Sequence, residues 1–142
     1  MPIVSSSGIT GFHNEKKATA PGVVTGRYGT IGEVYFVQRD YWPLNTALYV
    51  SDFKGNPPAY VAHLLTYVLG GTQSDKAAVP GVNRNVLHCL SVLAPRKRLI
   101  DQFAEFAQLT YQQIHILESA NEQLCAARDL LLPRLMSGEI AV

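Results

Sequence analysis

Residues 96–132 read RKRLIDQFAEFAQLTYQQIHILESANEQLCAARDLLL, and they contain neither glycine nor proline. The stretch is rich in Leu, Ala, Gln and Glu, which favour helical backbone. A helix of this length would extend roughly 55 Å, which exceeds the width expected of the small domain that precedes it. The sequence therefore predicts a long C-terminal helix that meets a partner along much of its length.

Apolar residues recur along this stretch with a seven-residue period. The a positions are Ile100, Ala107, Ile114, Asn121 and Arg128, and the d positions are Phe103, Thr110, Leu117, Leu124 and Leu131. Seven of these ten residues are apolar, which is typical of a coiled coil, and a polar residue such as Asn121 often fixes its register. The alternative is that the helix packs on its own domain, in which case part of it would still project.

The residues after Leu132 carry signals for the end of the helix. Pro133 has no backbone N–H, which predicts a break at this position. A short amphipathic segment follows, and Gly138 is expected to end it.

The composition changes at Pro95. Residues 1–95 hold ten of the eleven glycines and seven of the eight prolines. The pattern predicts an α+β fold, with a small mixed β-rich domain over residues 1–95 and a coiled-coil helix with a short amphipathic end over residues 96–142. The predicted strands are 23–25, 34–37, 42–50 and 86–94, the predicted helix is 59–69 with Tyr60, Leu64, Tyr67 and Val68 near one stripe, and the predicted turns and loops are 26–32, 52–58 and 72–85.

Composition and charge exclude several classes of protein. The chain is 47% hydrophobic and 16% charged, so it should fold. Its net charge of +1 excludes a strongly basic nucleic-acid coat protein. We find no uncharged apolar run that could span a membrane and no secretory signal, which predicts a cytoplasmic protein. Cys89 and Cys125 lie in apolar surroundings and are predicted to be reduced, buried thiols.

The sequence shows no catalytic or metal-binding set. The four histidines lack metal-ligand spacing. The glycine-rich turn at Gly26–Gly32 lacks the Lys and Ser/Thr that complete a phosphate-binding loop. We therefore expect no catalytic residue, no metal and no cofactor, and the chain is predicted not to be an enzyme.

Six segments carry a resemblance to a known family. They are Gly26–Val34 (GRYGTIGEV), Trp42–Val50 (WPLNTALYV), Asp52–Asn56 (DFKGN), Val79–Asn85 (VPGVNRN), Arg128–Leu135 (RDLLLPRL) and Ser137–Ile140 (SGEI). In this order and spacing, they resemble the DNA specificity subunits of type I restriction-modification systems. The first four resemble a target recognition domain, and the last two, together with Asn121 and Leu124 before them, resemble a helical conserved region. The resemblance covers about Ile9 to Ile140.

The chain departs from the family in two ways. The family typically has two recognition domains and two helical regions in one chain, whereas one of each is present here. The domain also starts late, so the resemblance is to a half-length or N-terminally truncated subunit. Second, the family usually has a Pro-Pro step followed by Glu-Gln, whereas this chain has Pro95-Arg96-Lys97-Arg98 and Asp101-Gln102. The added positive charge opposes the helix dipole and suits a phosphate or a solvated basic patch.

The resemblance implies a DNA reader and not a catalyst. Two copies would pair through antiparallel helices, read a bipartite site in double-stranded DNA and dock the methyltransferase subunits of the system. Those subunits would transfer the methyl group from S-adenosylmethionine to adenine. The alternative is a dimeric assembly protein, a truncated relic that no longer reads DNA.

The candidate DNA contacts are side chains that suit base edges or phosphates. Arginine binds guanine or phosphate, glutamine binds adenine, and lysine binds phosphate. The candidates are Arg27, Tyr28, Lys54, Gln73, Lys76 and Arg84, and the a and d residues of the helix are the candidate dimer and partner contacts. Asn83 and Asn85 are predicted to serve the turn or a cap more than DNA.

Overall fold

The computed structural model describes residues 1–28, 32–71 and 81–140. Small β-sheets precede a long C-terminal helix, so the expected mixed α and β fold is confirmed. The chain divides into two compact units, Met1–Ala107 and Gln108–Val142. The division falls within the long helix, whereas the composition changes at Pro95. Among the described residues, no helix is both long enough and apolar enough to cross a membrane.

The first sheet begins with a hairpin at the N-terminus. Strands β1 (Pro2–Ser5) and β2 (Gly8–Phe12) are antiparallel, and β1 also pairs in parallel with β5 (Trp42–Pro43). At the turn, the Ser5 hydroxyl donates to the Gly8 carbonyl over 3.2 Å, and Gly8 has a φ of +96° that favours glycine. We did not predict this hairpin, although a serine-rich, glycine-ended turn between two apolar runs is a signal for one.

The second sheet has β3 (Gly22–Gly26) at its centre. It pairs antiparallel with β4 (Val34–Val37) on one side and with β6 (Ala47–Tyr49) on the other. Every residue of β3 is buried, as expected for a central strand. The strands predicted at residues 23–25 and 34–37 are therefore confirmed.

The core joins the two sheets around Tyr41. The side chain of Tyr41 is 1% exposed, and burial raises its pKa to about 12. Its ring lies so close to Gly22 that a Cβ atom at Gly22 would be 2.2 Å from Cε1 of Tyr41. The remaining members of this cluster are Val4, Val24, Val37 and Ala47.

The single strand predicted at residues 42–50 is wrong. The structure divides the run into β5 and β6, which belong to different sheets. Between them, the Ala47 amide donates to the Leu44 carbonyl over 3.0 Å and forms a turn. Asn45 and Thr46 occupy the turn, and Asn favours such positions, so the chain changes sheets there.

Helix α1 (Pro58–Gly71) packs on β3 and β4 and confirms the predicted helix. Its buried residues are Ala59, Ala62 and Leu69. Of the four residues that the sequence placed near one stripe, Tyr67 is 82% exposed. Ala59 and Ala62 are small, so α1 can approach the sheet closely on the side that carries them. Tyr67 lies outside that side of the helix and is therefore exposed.

Helix α2 (Arg84–Cys89) replaces the first part of the strand predicted at residues 86–94, which is wrong. The Asn83 side chain caps it by accepting from the Asn85 amide over 2.9 Å. Residues 90–96 have no regular secondary structure. Cys89 is exposed and Cys125 is half-buried, so the prediction of two buried thiols is wrong as well, although both thiols are free.

Helix α3 (Lys97–Met136) continues through Pro133, so the predicted break is wrong. Pro133 lies in the last turns, where its missing N–H costs one hydrogen bond and its ring is exposed. The helix ends as expected near Gly138, which has a φ of +76°. The Gly138 amide donates to Leu135 over 3.2 Å and the Glu139 amide to Arg134 over 3.0 Å, which is a Schellman motif.

Candidate nucleic-acid and partner interfaces

Two segments that are distant in sequence meet at one end of the second sheet. Tyr28 forms an antiparallel bridge with Gly81. The Val82 amide donates to the Arg27 carbonyl over 2.9 Å, and the Arg27 amide donates to the Thr46 carbonyl over 2.9 Å. These bonds hold Arg27 and Tyr28 beside the segment that leads into α2.

A cation–π contact orders this end of the sheet. The guanidinium carbon of Arg27 lies 5.2 Å from the centre of the Tyr28 ring, within the range of such contacts. Gly81 also lies beside the ring, since a Cβ atom there would be 3.3 Å from Cε1 of Tyr28. Tyr28 remains 50% exposed, so an exposed arginine and an exposed aromatic ring are presented together.

Arg84 follows the same segment as the first residue of α2, and it is exposed. Asn83 serves as the helix cap, as expected for a structural residue, whereas Asn85 contributes its backbone amide. We use the name Arg27 edge for Arg27, Tyr28, Gly81, Val82 and Arg84. The bridge at Gly81 brings three of the six predicted DNA contacts into this one region of the chain.

Lys54 does not belong to the Arg27 edge. The Val50 amide donates to the Val23 carbonyl over 3.0 Å, so the chain leaves β6 near the start of β3, whereas Arg27 follows its end. On this register, Arg27 and Lys54 leave the sheet at opposite ends. Gln73 and Lys76, the other two predicted contacts, lie outside the described residues.

The Lys54 side chain is engaged within its own turn. Its ammonium lies 2.6 Å from a carboxylate oxygen of Asp52. This hydrogen-bonded pair lowers the pKa of Asp52 and raises the pKa of Lys54. Lys54 and Gly55 both have positive φ, of 53° and 75°, which is the backbone of a tight turn. This pairing reduces the charge that Lys54 can offer to a phosphate.

The basic start of α3 lies beside this turn. The Lys97 ammonium donates to the Gly55 carbonyl over 3.5 Å and lies 2.8 Å from the Asp101 carboxylate. Arg96 and Arg98 flank it, and both are exposed. The first turn of the helix contains no acidic residue, so these charges oppose the helix dipole.

The first two heptads of α3 are partly covered within the first unit. Ile100, Ala104 and Ala107 are 5–7% exposed. Phe103 is 38% exposed, and its ring makes an edge contact with His63 of α1 at 5.2 Å between centres. Two predicted a positions are therefore buried by the domain's own residues, which is the alternative that the sequence left open for this part of the helix.

The second unit presents the other predicted partner contacts to solvent. From Gln108 to Ile140 no described residue is buried. The exposed fractions are 42% for Ile114, 65% for Leu117, 68% for Leu124 and 47% for Leu131. Asn121 is exposed, and Arg128 lies 2.7 Å from the carboxylate of its neighbour Asp129.

Further exposed apolar residues on α3 lie outside the predicted a and d positions. They are Leu99, Phe106, Leu109, Ile116, Leu130, Leu132, Leu135 and Met136. Leu99 and Phe106 are seven residues apart, as are Leu109 and Ile116, so a search for a second seven-residue period would have found them. An apolar surface of this width on a water-exposed helix indicates a binding surface.

In the part of the chain that the structure describes, no group of three or more His, Cys, Asp or Glu side chains could hold a metal ion. The described residues instead form contact surfaces: the Arg27 edge on the domain and exposed apolar residues on α3. Compared with models of protein families and with curated proteins, the chain matches none.

Proposed function

We propose that this chain is a sequence-specific DNA-binding half-subunit of a type I restriction-modification system, and that it works as a homodimer. The observation that supports DNA reading is the Arg27 edge. It brings Arg27, Tyr28 and Arg84 together from segments that resemble the target recognition domain. The guanidinium group of arginine binds guanine edges or phosphates with two hydrogen bonds, and an exposed tyrosine ring packs on sugars and bases.

The helix supplies the second half of this function. Its exposed leucines form an antiparallel coiled coil with a second copy, and two recognition domains are thereby held a fixed distance apart. The same helices dock the methyltransferase subunits, which bind S-adenosylmethionine and methylate adenine. Support for this role comes from the apolar residues that α3 exposes beyond Ala107.

A second function, that of a dimeric assembly protein without DNA reading, is favoured by a different observation. Lys16, Lys54, Lys97, Arg128 and Arg134 are each within 2.6–2.8 Å of a carboxylate. Cations held in this way attract DNA weakly, because their charge is already balanced. Such a protein would pair through α3 and would not use the Arg27 edge.

DNA affinity at low salt separates the two functions. The experiment measures fluorescence anisotropy of labelled mixed-sequence duplexes with the wild-type dimer and with Arg27→Ala, Arg84→Ala and Arg39→Ala variants. Arg39 is the matched control, since it is exposed but follows β4 at the Gly22 end of the sheet, away from Arg27. Loss of affinity for Arg27→Ala and Arg84→Ala alone supports DNA reading. Equal affinity for all four proteins supports the assembly protein.

A further inference from the structure

An apolar groove lies between helix α1 and the start of α3, within the first unit. It has a volume of about 310 Å³, which is at the lower end for binding pockets in proteins. The side chains that line it are apolar apart from the Tyr60 hydroxyl and the His63 ring nitrogens. We call it the Phe103 groove, and its lining residues are Tyr60, His63, Leu64, Pro95, Leu99, Ile100 and Phe103.

The Phe103 groove is open to solvent. Leu99 is 57% exposed and Phe103 is 38% exposed, although the edge contact between the Phe103 and His63 rings holds the two helices together. A small molecule binds well when a pocket encloses most of its surface, and walls as open as these cannot do so. The groove therefore suits a macromolecule that covers it.

A second cavity extends this apolar surface along α1. It has a volume of about 580 Å³ and lies between residues 66–70 of α1 and residues 90–92. Residues 90–103 therefore pass along α1 from its C-terminal turns towards its first turns. Since α1 has 14 residues, the apolar surface follows it for roughly 20 Å. A partner helix of about four turns could occupy this length.

A helical partner suits these walls better than an extended one. The lining side chains offer few hydrogen bonds, so an extended peptide would leave backbone N–H and C=O groups without partners in the groove. A helix satisfies these groups internally, and it presents apolar side chains at i, i+3, i+4 and i+7 to such a groove. We therefore expect the partner segment to be an amphipathic helix.

The two walls carry positive charge and no negative charge. Residues 58–71 and 84–96 contain neither aspartate nor glutamate, and the second range begins and ends with arginine. Asp101 and Glu105 of α3 are each two residues from Phe103, which places them on the other side of the helix. A partner in the groove thus meets cations without a competing carboxylate.

Arg96 is the cation that belongs to the Phe103 groove. Its carbonyl accepts the Leu99 amide over 2.9 Å at the start of α3, and spacings of three and four residues place Arg96, Leu99 and Phe103 on one side of the helix. Arg98 lies about 100° around the helix from Leu99, away from that side. Both arginines are exposed, and the free amides of the first turn add positive potential beside Arg96.

We propose that the Phe103 groove binds an acidic amphipathic helix of another protein, with apolar side chains against Leu99 and Phe103 and a carboxylate beside Arg96. Apolar walls argue against DNA as the occupant, because its charged backbone would gain nothing from them. The proposal does not rest on the proposed function. Arg96 belongs to the basic run at which this chain departs from the family it resembles, so the resemblance does not imply this site.

The two arginines provide a matched test of charge. The probe is a fluorescein-labelled peptide of about 14 residues, with leucine at i, i+3, i+4 and i+7 and glutamate and alanine elsewhere. Arg96→Glu is expected to weaken its binding about tenfold, because like charges would meet, whereas Arg98→Glu has the same net charge and should bind like the wild type. A carboxylate near a helix N-terminus is favourable, so neither variant should disturb α3.

Equal binding of the peptide by the two arginine variants would overturn the proposal. So would equal binding by the wild type of a peptide with lysine in place of glutamate, or no binding of the acidic peptide. A labelled mixed-sequence duplex is titrated in parallel. If Arg96→Glu weakens duplex binding and the peptide does not bind, Arg96 contacts phosphate and the proposal is wrong.

Two leucines test the apolar part of the site. Leu99→Ser is expected to weaken peptide binding about tenfold, since it removes an apolar anchor. Leu109→Ser is the control, because Leu109 is 63% exposed on the same helix and does not line the groove. Circular dichroism verifies the fold of each variant. If Leu99→Ser changes the sedimentation of the chain and the wild type does not bind the peptide, a second copy occupies the groove and the proposal fails.

Discussion

At the scale of single residues, Gly22 shows how one missing side chain shapes the core. Its backbone has no positive φ, so the requirement for glycine comes from the Tyr41 ring that lies against it. We predict that Gly22→Ala destabilises the protein by about 3 kcal/mol, because neither the ring nor the strand can move without repacking. The check is the free energy of unfolding from urea titration.

Gly70→Ala is the control for this prediction. Gly70 lies in α1, and a Cβ atom there would have nothing within 4 Å. We expect no loss of stability and a gain of about 0.5 kcal/mol, because alanine reduces the backbone freedom of the unfolded chain. A destabilisation equal to that of Gly22→Ala would show that the Tyr41 contact does not determine the effect.

Asp40 connects two distant segments, and its pKa links that connection to pH. Its carboxylate accepts from the Lys16 ammonium over 2.7 Å and from the Ala20 amide over 2.9 Å, and these bonds lower its pKa from 3.8. Because the folded pKa is below the unfolded one, the stabilisation is complete above pH 3.8 and is lost as pH falls through the lowered pKa.

Asp40→Asn is therefore expected to lower the free energy of unfolding at about pH 6 and to lower it by less at about pH 3, which is below the unfolded pKa. Urea titrations at both values measure this. Asp52→Asn is the matched control, since the pKa of Asp52 is also lowered but its partner is only two residues away. The same loss at both pH values would show that Asp40 acts through shape and not through charge.

At the scale of elements, residue patterns correctly predicted those strands and helices that depend mainly on their own local sequence. The β-branched strands at 23–25 and 34–37 and the long helix without glycine or proline up to Leu132 can be predicted from the sequence, because each has a local pattern and composition typical of its secondary structure. The strand expected at 86–94 was wrong since an apolar run has no intrinsic preference for a sheet. The Asn83 cap started a helix there instead.

Tertiary contacts explain the differences that sequence patterns could not show. The break expected at Pro133 did not occur because a helix tolerates one missing hydrogen bond near its end. The Arg27 edge depends on a bridge between residues more than fifty positions apart, so no local pattern predicts that Arg27 and Arg84 share a region while Lys54 leaves the other end of the sheet. The burial of Ile100 and Ala107 within the first unit likewise depends on tertiary contacts.

The exposed leucines of α3 lead to a prediction about the oligomeric state of the protein. A Leu117→Glu, Leu124→Glu double variant should be monomeric, because pairing would bury unpaired carboxylates. Both leucines are d positions of the heptad predicted from the sequence. Gln112→Glu with Ser119→Glu, on the polar side, is the control. Light scattering that finds dimers for the leucine variant would mean that α3 does not form the interface.

At the scale of the whole molecule, the proposed division of labour places catalysis in a partner. We predict that the lone chain does not bind S-adenosylmethionine in isothermal titration calorimetry, with a type I methyltransferase subunit as the positive control. Added to that subunit, the chain is expected to confer adenine methylation on DNA at its own site. Stoichiometric binding of S-adenosylmethionine by the chain alone would contradict the assignment.

Selection of binding sites from randomised duplexes with the purified dimer at low salt tests most directly whether this protein reads DNA sequence. A two-fold dimer that carries one Arg27 edge per copy should select an inverted repeat whose halves are separated by a spacer of fixed length and unread sequence. Arg27→Ala should reduce enrichment, by about 1–3 kcal/mol in affinity if the guanidinium binds a guanine edge. No enrichment, or an asymmetric motif without a spacer, would contradict the account.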